Sequence, residues 1–340
     1  MLDWWRGGVG PIADWHWAGK TMSSVRTILV TGGGGFIGST IVDLLLREGY
    51  EVGVLDDFST GDQKNLAQAS SATIHEGDVT DAEFVRRTVK GYDAVVHEAA
   101  LVSVSRSVED PLRSSRVNVD GTLNLLIASQ EAKVKKFIFA SSSSVYGDTA
   151  TLPKTEDMNT LPISPYAVSK LAAENYCRVF ARVHGLCTVC LRYFNVYGPR
   201  QKHGPYSGVI PAFVRSVTSD NPPVIFGDGA QTRDFTYVED VAEANILCLR
   251  RPVEPGTVLN IGMGKQVSIN ELAATVERLL ERPDLGVKHE PTRRGDTRMS
   301  YSDITKARAT IGYSPRFTLE DGLRNVIEWF RRQGLPGPDD

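Results

Sequence analysis

Thr31-Gly-Gly-Gly-Gly-Phe-Ile-Gly38 follows the short apolar run Thr27-Ile-Leu-Val30 and leads directly into a segment with helical apolar spacing. Glycines at such a point let the main chain turn tightly and approach a ligand, while the free N–H groups and dipole of the following helix stabilise a pyrophosphate. The run satisfies G-x-G-x-x-G through Gly33, Gly35 and Gly38, and T-G-x-x-G-x-x-G through Thr31, Gly32, Gly35 and Gly38. Turn glycines are common, so the pattern alone decides little; the strand before it and the helix after it decide more. The next strand candidate ends at Asp56, about 20 residues beyond the glycines, where a carboxylate can accept hydrogen bonds from adenine-ribose hydroxyls. Asp57, Phe58, Ser59 and Thr60 offer no cation for a 2′-phosphate, which favours NAD over NADP.

Outward from this loop, short apolar runs alternate with amphipathic segments, the pattern of βαβ units feeding a parallel sheet. Strands are predicted at 27–30, 51–55, 73–75, 94–97, 136–140, 188–193 and 258–261, with helices at 36–48, 82–90, 117–129 and 165–184. The last helix is the best delimited: Ser164 is its N-cap, Pro165 its first residue, and Gly185 lies just past its end. Beyond Asn195 the chain turns to Gly/Pro-rich loops and shorter helices at 240–249, 268–280 and 318–331, two of them opened by the pairs Ser268/Glu271 and Thr318/Asp321 at capping-box spacing. The expected fold is α/β: a doubly wound parallel-sheet Rossmann domain over 25–194, with 234–262 returning to it, and a smaller mixed α/β substrate lobe from 195–233 and 263–335. Residues 1–24 carry four of the five tryptophans (Trp4, Trp5, Trp15, Trp17) and form an N-terminal extension of unknown role, either a leader upstream of a start at Met22 or a segment that packs on a neighbour.

With 340 residues, 41 % hydrophobic and 23 % charged, the chain is globular in composition, and a net charge of -3 gives no global attraction for nucleic acid or an acidic membrane. No apolar run reaches the roughly 18 residues of a membrane span. Cys177, Cys187, Cys190 and Cys248 are too few for a disulfide framework and suit a reducing compartment, so a cytoplasmic protein is expected. Cys187 and Cys190 form C-x-x-C inside an apolar strand run, without a second cluster to complete a metal site, and no metal is expected.

Tyr166 and Lys170, spaced i, i+4, fall on one face of the helix that starts at Pro165. Alone, such a pair is ordinarily an exposed cation–aromatic contact. The serine run Ser141-Ser-Ser-Ser144 changes its meaning, because it follows a strand and so stands at the carboxyl end of the sheet, where open α/β folds bind ligands. A free phenol is a poor base at neutral pH; a neighbouring ammonium and a cationic nicotinamide ring both favour its phenolate. A hydroxyl from the serine run can then hold a reacting oxygen while the tyrosine exchanges its proton.

The ordered set T-G-x-x-G-x-x-G, Ser141-Ser-Ser-Ser-Val-Tyr-Gly147, Tyr166-x-x-x-Lys170 and Leu191-Arg-Tyr-Phe-Asn-Val-Tyr-Gly-Pro-Arg200 resembles the extended short-chain dehydrogenase/reductases, and among them the UDP-hexose 4-epimerases, over residues 26–332. The resemblance implies Ser142, Tyr166 and Lys170 as the catalytic set. It implies cofactor contacts from Gly32, Gly35, Phe36, Ile37, Gly38, Asp56, Asp57, Asp78, Val79, Ala99, Ala100 and Asn118, besides Tyr166 and Lys170. Substrate contacts are implied for Ser103, Ser142, Ser143, Asn195, Val209, Phe226, Arg233, Arg293, Asp296 and Ser300, and a homodimer for the assembly. Related dehydratases and decarboxylases carry an acid shortly after the catalytic hydroxyl; Ser143 and Ser144 stand there instead, which implies simple 4-epimerisation of a UDP-sugar with retained NAD. Ser300 occupies the position where some relatives close the pocket with tyrosine, so room for a 2-acetamido group is implied, for UDP-GlcNAc/UDP-GalNAc beside UDP-glucose/UDP-galactose. UDP-glucuronate stays open, because sequence does not place Arg192 and Arg200. The rivals are a net dehydrogenase and a non-catalytic NAD-binding sensor or RNA-associated protein of the same fold.

Overall fold

Strand β1 (Thr27–Thr31) is made of β-branched and aliphatic residues and is buried on both faces, as a strand covered by helices above and below must be. In the computed structural model, which describes residues 25–202, 208–292 and 298–333, it lies near the middle of a seven-stranded sheet. The others are β2 (Glu51–Asp56), β3 (Thr73–Glu76), β4 (Ala94–His97), β5 (Lys136–Ser142), β6 (Thr188–Tyr193) and β7 (Thr257–Ile261), in the spatial order β3-β2-β1-β4-β5-β6-β7. All neighbours pair in parallel. The order reverses between β1 and β4, which opens a crevice at their carboxyl ends.

The side-chain period of two sorts the strands between two cores. Ile28 and Val30 join α1 (Phe36–Arg47) on one face, while Leu29 joins α2 (Ala82–Val89) on the other. Ile138 and Ala140 likewise face the first core, Phe137 and Phe139 the second. Between β4 and β5 run α3 (Val104–Glu109), α4 (Pro111–Ser115) and α5 (Gly121–Glu131). The helix predicted over 117–129 is broken by a π turn at Arg116–Asp120. That turn lets Asn118 point inward: its Oδ1 accepts from Leu101 N at 2.8 Å and its Nδ2 donates to Ser169 Oγ at 2.9 Å, tying the loop after β4 to the next helix.

That helix, α6 (Pro165–His184), has the foreseen ends: Ser164 Oγ accepts from Ala167 N at 3.2 Å, and Gly185 closes it at φ +70°. The later helices are α7 (Val209–Thr218), α8 (Val238–Arg250), α9 (Ile269–Leu279), α10 (Thr305–Ile311) and α11 (Leu319–Gln333). Of these, α8 packs under the sheet with α1, whereas α7, α9 and α11 build a third core from Phe213, Leu272, Leu323 and Phe330 among others. Each large apolar side chain buried there contributes about 1.5–3 kcal/mol. Short strand pairs, 224–226 with 288–290 and 232–233 with 267–268, brace this smaller core beside the crevice. No helix among the described residues is long and apolar enough to cross a membrane.

One buried ion pair roots the carboxyl end of β5. Arg192 on β6 donates to both oxygens of Glu174 on α6, at 3.0 and 2.6 Å, and Ser141 Oγ donates to Glu174 Oε2 at 2.6 Å. Glu174 and Arg192 are almost wholly shielded from water, and the guanidinium also lies 4.7 Å from the centre of the Tyr146 ring. Removing one partner of such a pair leaves an uncompensated charge. Glu174→Gln is therefore expected to lower unfolding free energy in urea by about 3–5 kcal/mol, and the paired apolar replacement Glu174→Leu with Arg192→Met to recover most of it. An unchanged urea midpoint in the single variant would contradict this account.

Candidate active site

The glycine loop turns where no side chain fits. Gly32 has φ +69°, and a Cβ there would lie 2.6 Å from Ala99 N at the end of β4; a Cβ on Gly38 would lie 2.2 Å from Gly32 O. Gly35 opens α1 without any side-chain cap, so the first N–H groups of the helix stay open to a ligand. Asp56 is buried at the end of β2 and accepts from Gly34 N and Phe58 N, each at 2.8 Å. Burial raises its carboxyl above the ordinary range and the two N–H donors pull it back.

These residues line one continuous cleft of about 1030 Å³, at the upper end of what a single small ligand needs and in keeping with room for a dinucleotide and a second ligand. Gly32, Gly35, Phe36, Ile37 and Gly38 form its floor; Asp56, Asp57, Asp78 and Val79 stand at one end. Ala99 and Ala100 lead to the other end, where Ser142, Ser143, Tyr166 and Lys170 meet. The loop without Cβ atoms, the uncapped helix and the acid at the tip of β2 together fit an NAD molecule laid along the cleft.

At the far end the Ser142 side chain lies near the Tyr166 phenol and favours its ionised form. Ser142 Oγ itself accepts from Ser144 N at 3.2 Å and Ser144 Oγ at 2.9 Å, which fixes its direction. Burial, with the Glu98 carboxylate adding to it and the Ser142 side chain opposing it, pushes the Tyr166 phenol up to about 12. Lys170 Nζ donates to Ala140 O at 2.8 Å and sits 5.0 Å above the Phe139 ring. Burial lowers its ammonium to about 8, against the upward pull of Glu98. A phenol, a hydroxyl and an ammonium so arranged can bind one oxygen and move one proton.

Ser103, Asn195, Arg233 and Ser300 also line the cleft, and Ser103 Oγ caps α3 by accepting from Arg106 N at 3.2 Å. Asn118 lies behind the wall as a tether. Val209 and Phe226 do not reach the cleft: Val209 packs against the core of the smaller lobe, and Phe226 ends the strand at 224–226. Arg293 and Asp296 lie outside the described residues. Arg192 is taken by Glu174, and Arg200 NH2 bonds Asp43 Oδ2 at 2.6 Å. The sequence motifs do not single out Glu98 and Tyr193, joined at 2.7 Å inside the cleft, or the cations Arg106, Arg113 and Lys202 that line it. Glu98 had a signal, an acid directly after an apolar strand at the crevice; the cations had none.

Residues 28–262 match the NAD dependent epimerase/dehydratase family. A putative UDP-glucose 4-epimerase of Methanocaldococcus jannaschii is 39 % identical over 308 residues, covering 89 % of this chain and 98 % of that protein. Among solved structures, the UDP-N-acetylglucosamine 4-epimerase of Methanobrevibacter ruminantium M1 in complex with UDP-N-acetylmuramic acid superimposes with a TM-score of 0.88 at 41 % identity, over 92 % of this chain and all of that one. The UDP-glucose 4-epimerase of Thermotoga maritima with UDP-glucose follows at a TM-score of 0.86 and 39 % identity, over 91 % of this chain and 99 % of that one. The glycine loop, the acid of β2 and the Ser142–Tyr166–Lys170 cluster therefore sit in a chain that belongs to the NAD dependent epimerase/dehydratase family.

Proposed function

We propose that the chain interconverts UDP-hexoses by reversible 4-epimerisation, acting on UDP-GlcNAc/UDP-GalNAc and on UDP-glucose/UDP-galactose. The observation that carries this reading is the convergence of Ser142, Tyr166 and the buried Lys170 in the same cleft as the glycine loop and Asp56. NAD, which the glycine loop, Asp56 and Lys170 would hold, would supply a reversible two-electron hydride acceptor for oxidation and re-reduction at the sugar C4. Ser142 holds the 4-oxygen, and Tyr166 takes its proton on oxidation and gives it back on reduction, so atoms and charge balance over the cycle. Lys170 favours the Tyr166 phenolate by its charge. Ser143 and Ser144 supply no carboxylate for a second proton transfer, which keeps elimination off the path. Asn195 and Arg233 serve the diphosphate, together with Arg293, while Asp296 serves the uridine. The engagement of Arg192 and Arg200 with Glu174 and Asp43 disfavours a uronate as substrate.

Separate incubations with UDP-GlcNAc, UDP-glucose and UDP-glucuronate, followed by proton NMR, test the assignment; interconversion of the first two is expected, and no turnover of any of them would end it. Tyr166→Phe should lower kcat by about two to four orders of magnitude. In Lys170→Met the phenolate loses a stabilising cation, so the rising limb of kcat against pH should move to higher pH; a downward move would contradict the role given to Lys170. Ser300, half-buried in the cleft wall, is the gate for the 2-acetamido group: Ser300→Tyr should depress turnover of UDP-GlcNAc selectively, and equal losses on both hexose pairs would refute it.

We further infer a homodimer. Val168, Tyr176, Val179 and Val183 form one stripe along α6 at helical spacing and stay 40–66 % exposed, with Ile127 of α5 also exposed. A second copy burying that stripe accounts for it. Sedimentation should show a dimer at micromolar concentration and monomers for Val179→Asp combined with Val183→Asp; a native monomer would overturn the inference.

A further inference from the structure

Glu98 follows the last residue of β4 and lines the cleft between Ala99 and Lys170. His97, one residue earlier, turns to the opposite face of the sheet, where Thr31 and Thr122 hold its ring at 2.7 and 2.9 Å. Glu98 Oε1 accepts from the Tyr193 hydroxyl at 2.7 Å, and that hydroxyl accepts from Asn245 Nδ2 at 2.9 Å. Asn245 is itself tied to Val241 O at 2.9 Å within α8. The chain Asn245–Tyr193–Glu98 thus fixes the carboxyl group from beneath the sheet. Among the described residues no donor meets Oε2, the oxygen left for the cleft.

The charged and titratable groups around Glu98 are few. Lys170 and Tyr166 face it from α6 and Tyr193 from β6, while burial lowers His97 to about 3 and keeps it neutral. Burial outweighs the downward pull of the Tyr193 hydrogen bond and the Lys170 charge and leaves the Glu98 carboxyl at about 7. A cationic ring alongside adds to that pull.

We propose that Glu98 sets the redox poise of the cofactor: a fixed carboxylate at the Tyr166–Lys170 end of the cleft stabilises the cationic nicotinamide of NAD over the neutral ring of NADH. This inference rests on NAD occupying the cleft as the family assignment implies. An enzyme that must return every hydride it removes needs the reduced cofactor to stay a minor species between the two transfers. Lys170, required as a cation for the phenolate, pushes the balance toward NADH, and the Glu98 carboxylate in the same cleft opposes it. The carboxylate is a positioning and tuning group; it moves no proton in the cycle.

The test reads affinities and needs no turnover. Holoprotein is equilibrated with known mixtures of NAD and NADH, separated rapidly from free nucleotide, and assayed for the bound NAD to NADH ratio. Glu98→Gln and Glu98→Leu are expected to favour NADH about tenfold more than the native protein does, equivalent to about 30 mV for the two-electron couple. Glu98→Asp, which keeps the charge, should stay within about twofold of native, and Lys170→Met should shift the ratio toward NAD. An unchanged ratio in both neutral variants overturns the proposal. If the native protein binds neither nucleotide, the cofactor assignment itself fails, an outcome distinct from a flat ratio in variants that bind both.

Discussion

Two stretches of main chain meet at the carboxyl ends of β1 and β4 closer than any side chain allows, with Gly32 against Ala99, and the rest of the molecule is arranged around that approach. Because the backbones touch, the first turn of α1 is presented to the crevice without intervening Cβ atoms, and Gly38 can pack its helix onto Gly32. The reversal of strand order at the same place splits the helices to either side and leaves the cleft open between them. The Glu174–Arg192 pair then carries the geometry outward: it holds Ser141, hence the end of β5, hence Ser142 opposite Tyr166.

Much of this architecture was legible because the relevant signals are local. Asp56 could be read as the acid closing β2, and α6 could be delimited to the residue from Ser164, Pro165 and Gly185, since capping is a matter of a few neighbouring N–H and C=O groups. The alternation of Ile28, Leu29 and Val30 between two cores follows from the same short-range periodicity. Where several weak elements meet, local reading failed. Helices α3 and α4 are five or six residues long and carry good caps in Ser103 and Asp110, but helices that short leave no periodic stripe to detect. The π turn at Arg116–Asp120 was hidden inside a helical pattern because its cause, the demand of Leu101 and Ser169 on Asn118, is tertiary.

The site divides along the same line. Ser142, Tyr166 and Lys170 come from two segments whose convergence follows once the sheet is parallel, and they meet in the cleft. Arg192 and Arg200 could not be judged from sequence, since whether an arginine faces ligand or a buried acid depends on residues 18 and 157 positions away. Val209 and Phe226 illustrate the reverse: apolar residues carried over by position, they lie against the core of the smaller lobe or at the end of its strand, not in the cleft wall.

The cations along the cleft also bear on how a doubly negative nucleotide sugar reaches a protein whose own net charge is -3. At long range such a protein repels its substrate weakly, yet Arg106, Arg113, Lys202 and Arg233 stand within the cleft that the anion must enter. At physiological ionic strength fields from exposed charges fade over about 8 Å, so the distant acids are screened while the mouth is not. Encounter is therefore governed by a short capture zone at the opening, and the molecule as a whole contributes little to steering.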